Sequence, residues 1–182
     1  MRLKISFWLA AMVNFSAPVF AQNPTPSYAG QQQREIKALS AADIKMYLEG
    51  HGMGLARAAE LNHYPGPRHV LDLATELKLS HEQFTKTQQA YDKMHTEAVR
   101  LGKLIVAKEK QLDSLYFTQK INEMQLRAVV GEIAKLQGEL RIVHLNAHLE
   151  MKKILTSVQT AKYDELRGYR KGQSQTSQQG KE

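Results

Sequence analysis

Residues 80–117 read SHEQFTKTQQAYDKMHTEAVRLGKLIVAKEKQLDSLYF, and they decide the fold. Apolar side chains recur here at alternating spacings of three and four residues, which is the heptad pattern of a packed helix. Ser80 and Gln83 can form a capping box that starts the helix. The stretch therefore predicts one long helix that ends near Phe117. Its two seam series are Phe84, Tyr91, Ala98, Ile105 and Leu112, and Thr87, Met94, Leu101, Lys108 and Leu115.

A second stretch of the same kind covers residues 126–154. Neither stretch contains proline, and at 1.5 Å per residue each helix would be roughly 50 Å long. Two such helices joined by a short turn predict an all-α fold built on a long antiparallel helical hairpin. The second seam consists of Leu126, Ile133, Leu140, Ala147 and Ile154, with Val129, Leu136, Val143 and Glu150 between them.

Shorter helices are expected on both sides of the hairpin. The candidates are residues 41–48, 55–61, 68–77 and 157–169. Ser40 and Thr156 are suitable N-caps, and Pro67 suits the first turn of a helix. A single hairpin leaves one apolar stripe uncovered, so we expect the flanking helices or a second copy of the chain to cover it, and we predict a homodimer.

The N-terminus has the pattern of a cleaved export signal. Arg2 and Lys4 precede an uncharged apolar stretch over residues 5–20, and the sequence VFA at residues 19–21 suits signal peptidase. The stretch is shorter than the ~20 residues of a spanning helix, although a retained anchor is the alternative. We therefore expect a periplasmic protein. Its predicted parts are a signal peptide (1–21), a disordered leader (22–38), a helical domain (39–170) and a disordered tail (171–182).

Composition narrows the chemistry further. The chain has no cysteine, which excludes disulfides, thiolate metal ligands and a cysteine nucleophile. The formal net charge is +7, which favours acidic proteins or anionic membrane surfaces as partners. Nucleic acid is not expected as a partner, because an exported protein meets little of it.

Two short segments resemble the LTxxQ motif of the Spy/CpxP family of periplasmic proteins. The resemblance implies an ATP-independent chaperone that binds unfolded or misfolded proteins under envelope stress. The same superfamily includes heavy-metal-resistance proteins of the CnrX and ZraP type, so a metal-binding protein that contacts a membrane sensor protein is the alternative. A structural coiled-coil adaptor is a third hypothesis. The motif residues are Leu79, Ser80 (in place of threonine) and Gln83 in the first copy, and Leu155, Thr156 and Gln159 in the second.

His144 and His148 are the leading candidates for metal ligands. They lie four residues apart, so on a helix they share one side and can reach one ion, and Met151 adds a sulfur three residues further on. The stripe flanks the heptad seam, where a solvent-accessible ligand set would lie. The functional interpretation is a Zn, Cu, Ni or Co site completed by other residues. The alternative is two boundary histidines that bind nothing.

His51 and Met53 form a weaker candidate pair. They lie in the glycine-rich segment 50–54, which could wrap around a soft metal ion or act as a hinge between helices. We favour the hinge.

Signals of an enzyme are missing from the sequence. The histidine pair at 144 and 148 lacks the glutamate of HExxH, and the glycines at 50–54 do not match GxGxxG. Glu60 and Glu76 have the appearance of ordinary helix-surface carboxylates. We therefore expect no catalytic residues and no required cofactor.

Overall fold

The computed structural model describes residues 27–170. The predicted signal peptide and the predicted tail lie outside the described residues. The chain divides into two compact units, residues 1–32 and 33–182. In the described part of the first unit, the Gln31 amide donates a hydrogen bond of 3.1 Å to the Ser27 carbonyl.

Helices and turns make up the described residues, which contain no strand. A 3-10 helix (Gln31–Gln33) precedes α1 (Ala41–Leu48), α2 (Arg57–Glu60), α3 (Pro67–Asp72), α4 (His81–Phe117), α5 (Glu123–Ile154) and α6 (Ser157–Leu166). Over residues 27–170, every helix is too short or too polar to cross a bilayer. The predicted all-α fold with two long packed helices is confirmed.

The helices α4 and α5 are the two arms of an antiparallel hairpin. The Lys93 ammonium lies 3.6 Å from the Glu150 carboxylate, and Lys108 pairs with Glu132 nearer to the turn. Residue numbers therefore rise along α4 as they fall along α5. Each arm begins at a capping box, which satisfies amide groups that the first turn of a helix leaves unpaired.

Two apolar clusters fill the space beside and between the arms. The middle core consists of Ala98, Leu101, Ile105 and Leu140. The open-end core consists of Val70, Leu77, Ala90, Met151, Leu155 and Tyr163, with Leu79 packed against it. Every predicted seam residue except Phe84 is buried or partly buried, and Phe84 is 44% exposed. Its neighbour Gln83 faces α6 instead, and adjacent helical residues point about 100° apart.

The helix α1 crosses α4 at Gly102. A Cβ atom at this position would lie deep inside contact distance of the Tyr47 carbonyl oxygen. Because the obstructing atom belongs to the backbone, only glycine permits this crossing. Tyr47 also packs against the middle core. A flanking helix thus covers one part of the hairpin, which was one of the two predicted ways to bury it.

The helix α3 is shorter than the sequence predicted. It ends at Asp72 rather than near residue 77, and turns occupy the residues that follow. Leaving the helical path lets Leu77 enter the open-end core, where it is 3% exposed. Lys78 then adopts a left-handed backbone with φ of 49°. Burial of an apolar side chain by a distant part of the chain thus overrides the local preference for a helix.

The predicted leader over residues 22–38 contains a packed segment. Ile36 is 1% exposed. On either side of it, Glu35 lies 2.7 Å from the Lys110 ammonium, and the Lys37 ammonium lies 3.1 Å from Asp113. Packed structure therefore begins before residue 39, because one apolar side chain docks on α4 between two ion pairs.

The two segments that resemble LTxxQ meet at the open end of the hairpin. The Gln83 amide donates to the Gln159 side-chain oxygen at 2.8 Å, and the Gln159 amide donates back at 3.0 Å. Each glutamine oxygen also accepts the backbone amide of its own cap residue, Ser80 or Thr156. Each glutamine therefore completes its own capping box and links α4 to α6.

Candidate functional site

A cavity of about 780 Å³ lies beside the hairpin, at the level between the two cores. We call it the histidine cavity. Its walls come from the glycine-rich segment, α2, the start of α3, both arms and the residues after α6. The lining residues are 49–54, 56–57, 60–61, 66–69, 91, 94–95, 144, 148, 167 and 169.

His144 and His148 both line this cavity, but they are buried rather than solvent-accessible. Their exposed fractions are 4% and 7%. The expectation of an open flank was wrong because residues 49–69 fold over this face of α5. Gly66 packs so closely on His148 that a Cβ atom there would lie 3.0 Å from the imidazole ring.

The hydrogen bond of His148 fixes its tautomer. His148 Nδ1 lies 2.7 Å from the Tyr64 carbonyl oxygen. A carbonyl oxygen can only accept, so Nδ1 carries a proton and donates it, and Nε2 is the ring nitrogen that remains for other contacts. A metal-ligating histidine is usually oriented in this way, by a hydrogen bond from its other nitrogen.

His144 Nε2 is buried and has no hydrogen-bond partner within residues 27–170. Burial, together with the neighbouring His148 and His95, lowers the pKa of His144 from 6.5 to about 4. The ring is therefore neutral at pH 7. A buried polar atom without a partner destabilises a fold unless something else satisfies it.

The glycine-rich segment brings His51 and Met53 to the same cavity. The backbone is left-handed at Gly50, Met53 and Gly54, with φ of 64°, 46° and 76°. These values favour glycine and fit a sharp change of direction between α1 and α2. His51 is also held by Glu49, whose carboxylate lies 2.9 Å from the imidazole.

Met151 lies outside the cavity. It is fully buried in the open-end core, beside Val70 and Tyr163. Met151 lies about one helical turn after His148 on α5, where apolar side chains of α3 and α6 pack against that helix. The predicted third ligand of the histidine stripe is therefore a packing residue.

Three residues of α4 line the cavity, namely Tyr91, Met94 and His95. The sequence predicted Tyr91 and Met94 as seam residues of the hairpin. The rings of Tyr91 and His95 stack with centroids 5.6 Å apart. Tyr91 and Met94 occupy heptad positions that face inward whether the space in front of them is filled or open. Periodicity alone therefore cannot show whether such a residue packs in the seam or lines a cavity.

Glu60 is not the surface carboxylate that its helix predicted. Its Oε1 accepts hydrogen bonds from the Tyr163 hydroxyl at 2.5 Å and from the Tyr169 hydroxyl at 3.1 Å. Its Oε2 is buried and lies 3.7 Å from His148 Nδ1. Burial and the Glu60 charge raise the pKa of the Tyr163 phenol, so the phenol remains a donor. Glu60 thus joins α6 to the histidine cavity.

The arrangement presents nitrogen and sulfur donors to one enclosed volume. Over residues 27–170, no three His, Asp or Glu side chains lie close enough together to hold a metal ion by themselves. His144 and His148 could supply two ligands. The remaining imidazole and thioether groups on the walls belong to His51, His69, His95, Met53 and Met94.

The fold and the cavity define an all-helical hairpin protein with a cavity beside its two arms, lined by two buried histidines. Comparisons with protein-family models, with curated proteins and with solved structures find no match.

Proposed function

We propose that the protein is an exported, non-enzymatic protein that binds a transition-metal ion in the histidine cavity, in the manner implied by the metal-binding branch of the LTxxQ resemblance. His144 and His148 would hold the ion. The single observation that carries the proposal is the buried, unpartnered Nε2 of His144, on a ring that lines the cavity together with the hydrogen-bonded ring of His148.

The protonation of both rings supports this proposal. A metal ion binds the neutral imidazole and competes with protons for it. The pKa of His144 at about 4 removes that competition at this ligand throughout the neutral range. His148 Nδ1 donates its proton to the Tyr64 carbonyl oxygen, 2.7 Å away, so Nε2 would be the coordinating atom of this ring.

The donor types on the walls favour particular metals. Imidazole suits Zn, Cu, Ni and Co, and thioether sulfur suits the softer ions, especially Cu(I). The thioethers of Met53 and Met94 therefore favour copper among the candidates. The bound ion would satisfy the His144 nitrogen and hold α5 against the cover formed by residues 49–69.

Calorimetric titration tests the proposal. Zn²⁺, Cu²⁺, Ni²⁺ and Co²⁺ are each titrated into the metal-free protein, and Cu⁺ is added under anaerobic conditions. We expect one ion per chain for at least one of these metals. The substitutions His144→Gln and His148→Gln each remove one ligand and keep a polar side chain of similar size. Each should weaken binding by at least ~10-fold, since even the residues that orient ligands contribute that much.

His81→Gln is the matched control. His81 is exposed in the first turn of α4 and lies outside the cavity lining, so its loss should leave the affinity unchanged. Circular dichroism confirms that each variant remains helical. The proposal fails if none of the metals binds in a saturable way, or if the double variant at 144 and 148 binds as tightly as the original protein.

A second candidate function is ATP-independent binding of partly folded proteins, as the Spy/CpxP resemblance implies. An exposed stripe along α5 supports it: Met124 is 76% exposed, Ile142 56% and Leu149 50%, with Gly131 and Gly138 on the same side. Shallow apolar surface on a basic protein suits weak contact with many acidic partners. The predicted homodimer would compete for the same stripe.

Suppression of the aggregation of a denatured test protein distinguishes this function from metal binding. The metal-free chain should suppress aggregation, and Ile142→Ser with Leu149→Ser should abolish the effect. Val130→Ser is the control, because Val130 is 44% exposed but points about 120° away around the helix. Equal loss with the control would refute the assignment to the stripe. Light scattering of the same samples tests the homodimer.

A further inference from the structure

The histidine cavity is far larger than a metal ion requires. Its volume is about 780 Å³, whereas one water molecule occupies about 30 Å³ in the liquid. Sites for small organic molecules have volumes of roughly 300 to 1,000 Å³. The cavity therefore has room for an organic molecule beside an ion on the two imidazoles.

The deep part of the cavity offers an incomplete set of ligands. His144 and His148 provide two nitrogen atoms, and the transition metals considered above take four or more ligands. The open coordination positions of an ion held there would face the remaining volume of the cavity. Oxygen or nitrogen atoms of a small chelating molecule could occupy them.

The walls of the cavity carry both charges, from three arginines and from Glu49 and Glu60. Glu49 is paired with Lys45 and His51, whereas the guanidinium groups of Arg57 and Arg68, which also line the cavity, have no carboxylate within ion-pair distance among residues 27–170. Arg167 also lines it, 3.6 Å from Glu60. Two unpaired guanidinium groups repel a bare cation but attract an anion, and their planar geometry matches a carboxylate.

We infer that the ligand is a metal ion together with an anionic chelator of the polycarboxylate class, with the ion on His144 and His148 and the carboxylates at Arg57 and Arg68. This inference rests on the proposed metal binding and names its substrate class. The imidazoles would select the metal, and the arginines would select the chelate over the bare ion. Tyr91 also lines the cavity and contributes an aromatic surface.

Equilibrium dialysis with Ni²⁺, radiolabelled citrate and their 1:1 complex tests the inference, because it counts metal and chelator separately. We expect citrate to be retained with Ni²⁺ in a 1:1:1 complex, and neither His144→Gln nor His148→Gln to retain the pair. The double substitution Arg57→Gln and Arg68→Gln should lower the ratio of the affinity for the complex to the affinity for Ni²⁺ alone by at least about tenfold, as expected for charge-assisted hydrogen bonds.

Arg141→Gln is the matched control, because Arg141 is an exposed arginine of α5 outside the cavity lining. The inference is overturned if citrate strips Ni²⁺ from the protein, or if the arginine variant and the control behave alike. In both cases Ni²⁺ alone still binds through the histidines, and the proposed function stands. Absence of binding for Ni²⁺ alone and for the complex would overturn the inference, whereas the proposed function fails only if the titrations with the other metals are negative too.

Discussion

Lowering the pH should destabilise the metal-free protein through His144. The ring is 4% exposed, and its pKa falls from 6.5 to about 4 on folding. Between these values the unfolded chain binds a proton that the folded protein excludes. Stability contributed by the neutral ring is therefore complete above pH 6.5 and is lost progressively as the pH falls toward 4.

The expected loss of stability follows from the difference between the pKa of His144 in the unfolded chain and in the folded protein. Each pH unit inside the window is equivalent to about 1.4 kcal/mol. At pH 5 the folded protein should therefore be less stable than at pH 7 by about 2 kcal/mol through this one residue. Folded domains are commonly stable by only about 5–15 kcal/mol, so the loss should be readily measured.

Urea denaturation at pH 7, 6 and 5 in the presence of a metal chelator measures the effect. His144→Gln removes the titrating ring, while His95, His148 and the carboxylates remain. The difference in the free energy of unfolding between the variant and the original protein should change by about 2 kcal/mol from pH 7 to pH 5. Parallel curves for the two proteins would show that His144 does not titrate abnormally, and would refute the burial argument.

Two substitutions test the packing of the hairpin. Gly102→Ala should destabilise the protein by about 1–3 kcal/mol, because the new methyl group meets the Tyr47 carbonyl. Gly138→Ala, where the side chain enters open space, should stabilise the protein by roughly 0.5–1 kcal/mol. Thermal melts compare the two variants, and equal effects would refute the close crossing of α1 and α4. Gln83→Ala should lower the free energy of unfolding by about 1–2 kcal/mol more than Gln125→Ala, since both remove a capping box but only Gln83 also bonds to α6. Equal losses of stability in urea titrations would mean that the link between α4 and α6 contributes nothing.

Much of the fold could be predicted from local patterns. The heptad spacing predicted both arms, and the serine and threonine caps predicted where α1, α4 and α6 begin. Such patterns act within one or two helical turns, so the sequence carries them directly. The length of α3 and the start of the packed chain were predicted less well, because Leu77 and Ile36 are held by contacts with distant helices.

The candidate site likewise has features that local spacing predicts and features that depend on distant contacts. The four-residue spacing of His144 and His148 was enough to place both rings on one side of a helix, since helix geometry alone requires it. Spacing could not reveal that His51 and Met53 reach the same cavity, or that Met151 lies in a core.

By itself, then, the sequence determined an all-helical hairpin with a pair of histidines on one arm, because repeat spacing and capping operate between neighbouring residues. The tertiary structure alone decided that both rings are buried, that His144 is neutral, and that Glu60 and three arginines line the same cavity. Those properties depend on residues 49–69 folding over α5 some eighty positions later in the chain, and desolvation and charge depend on which groups are close in space.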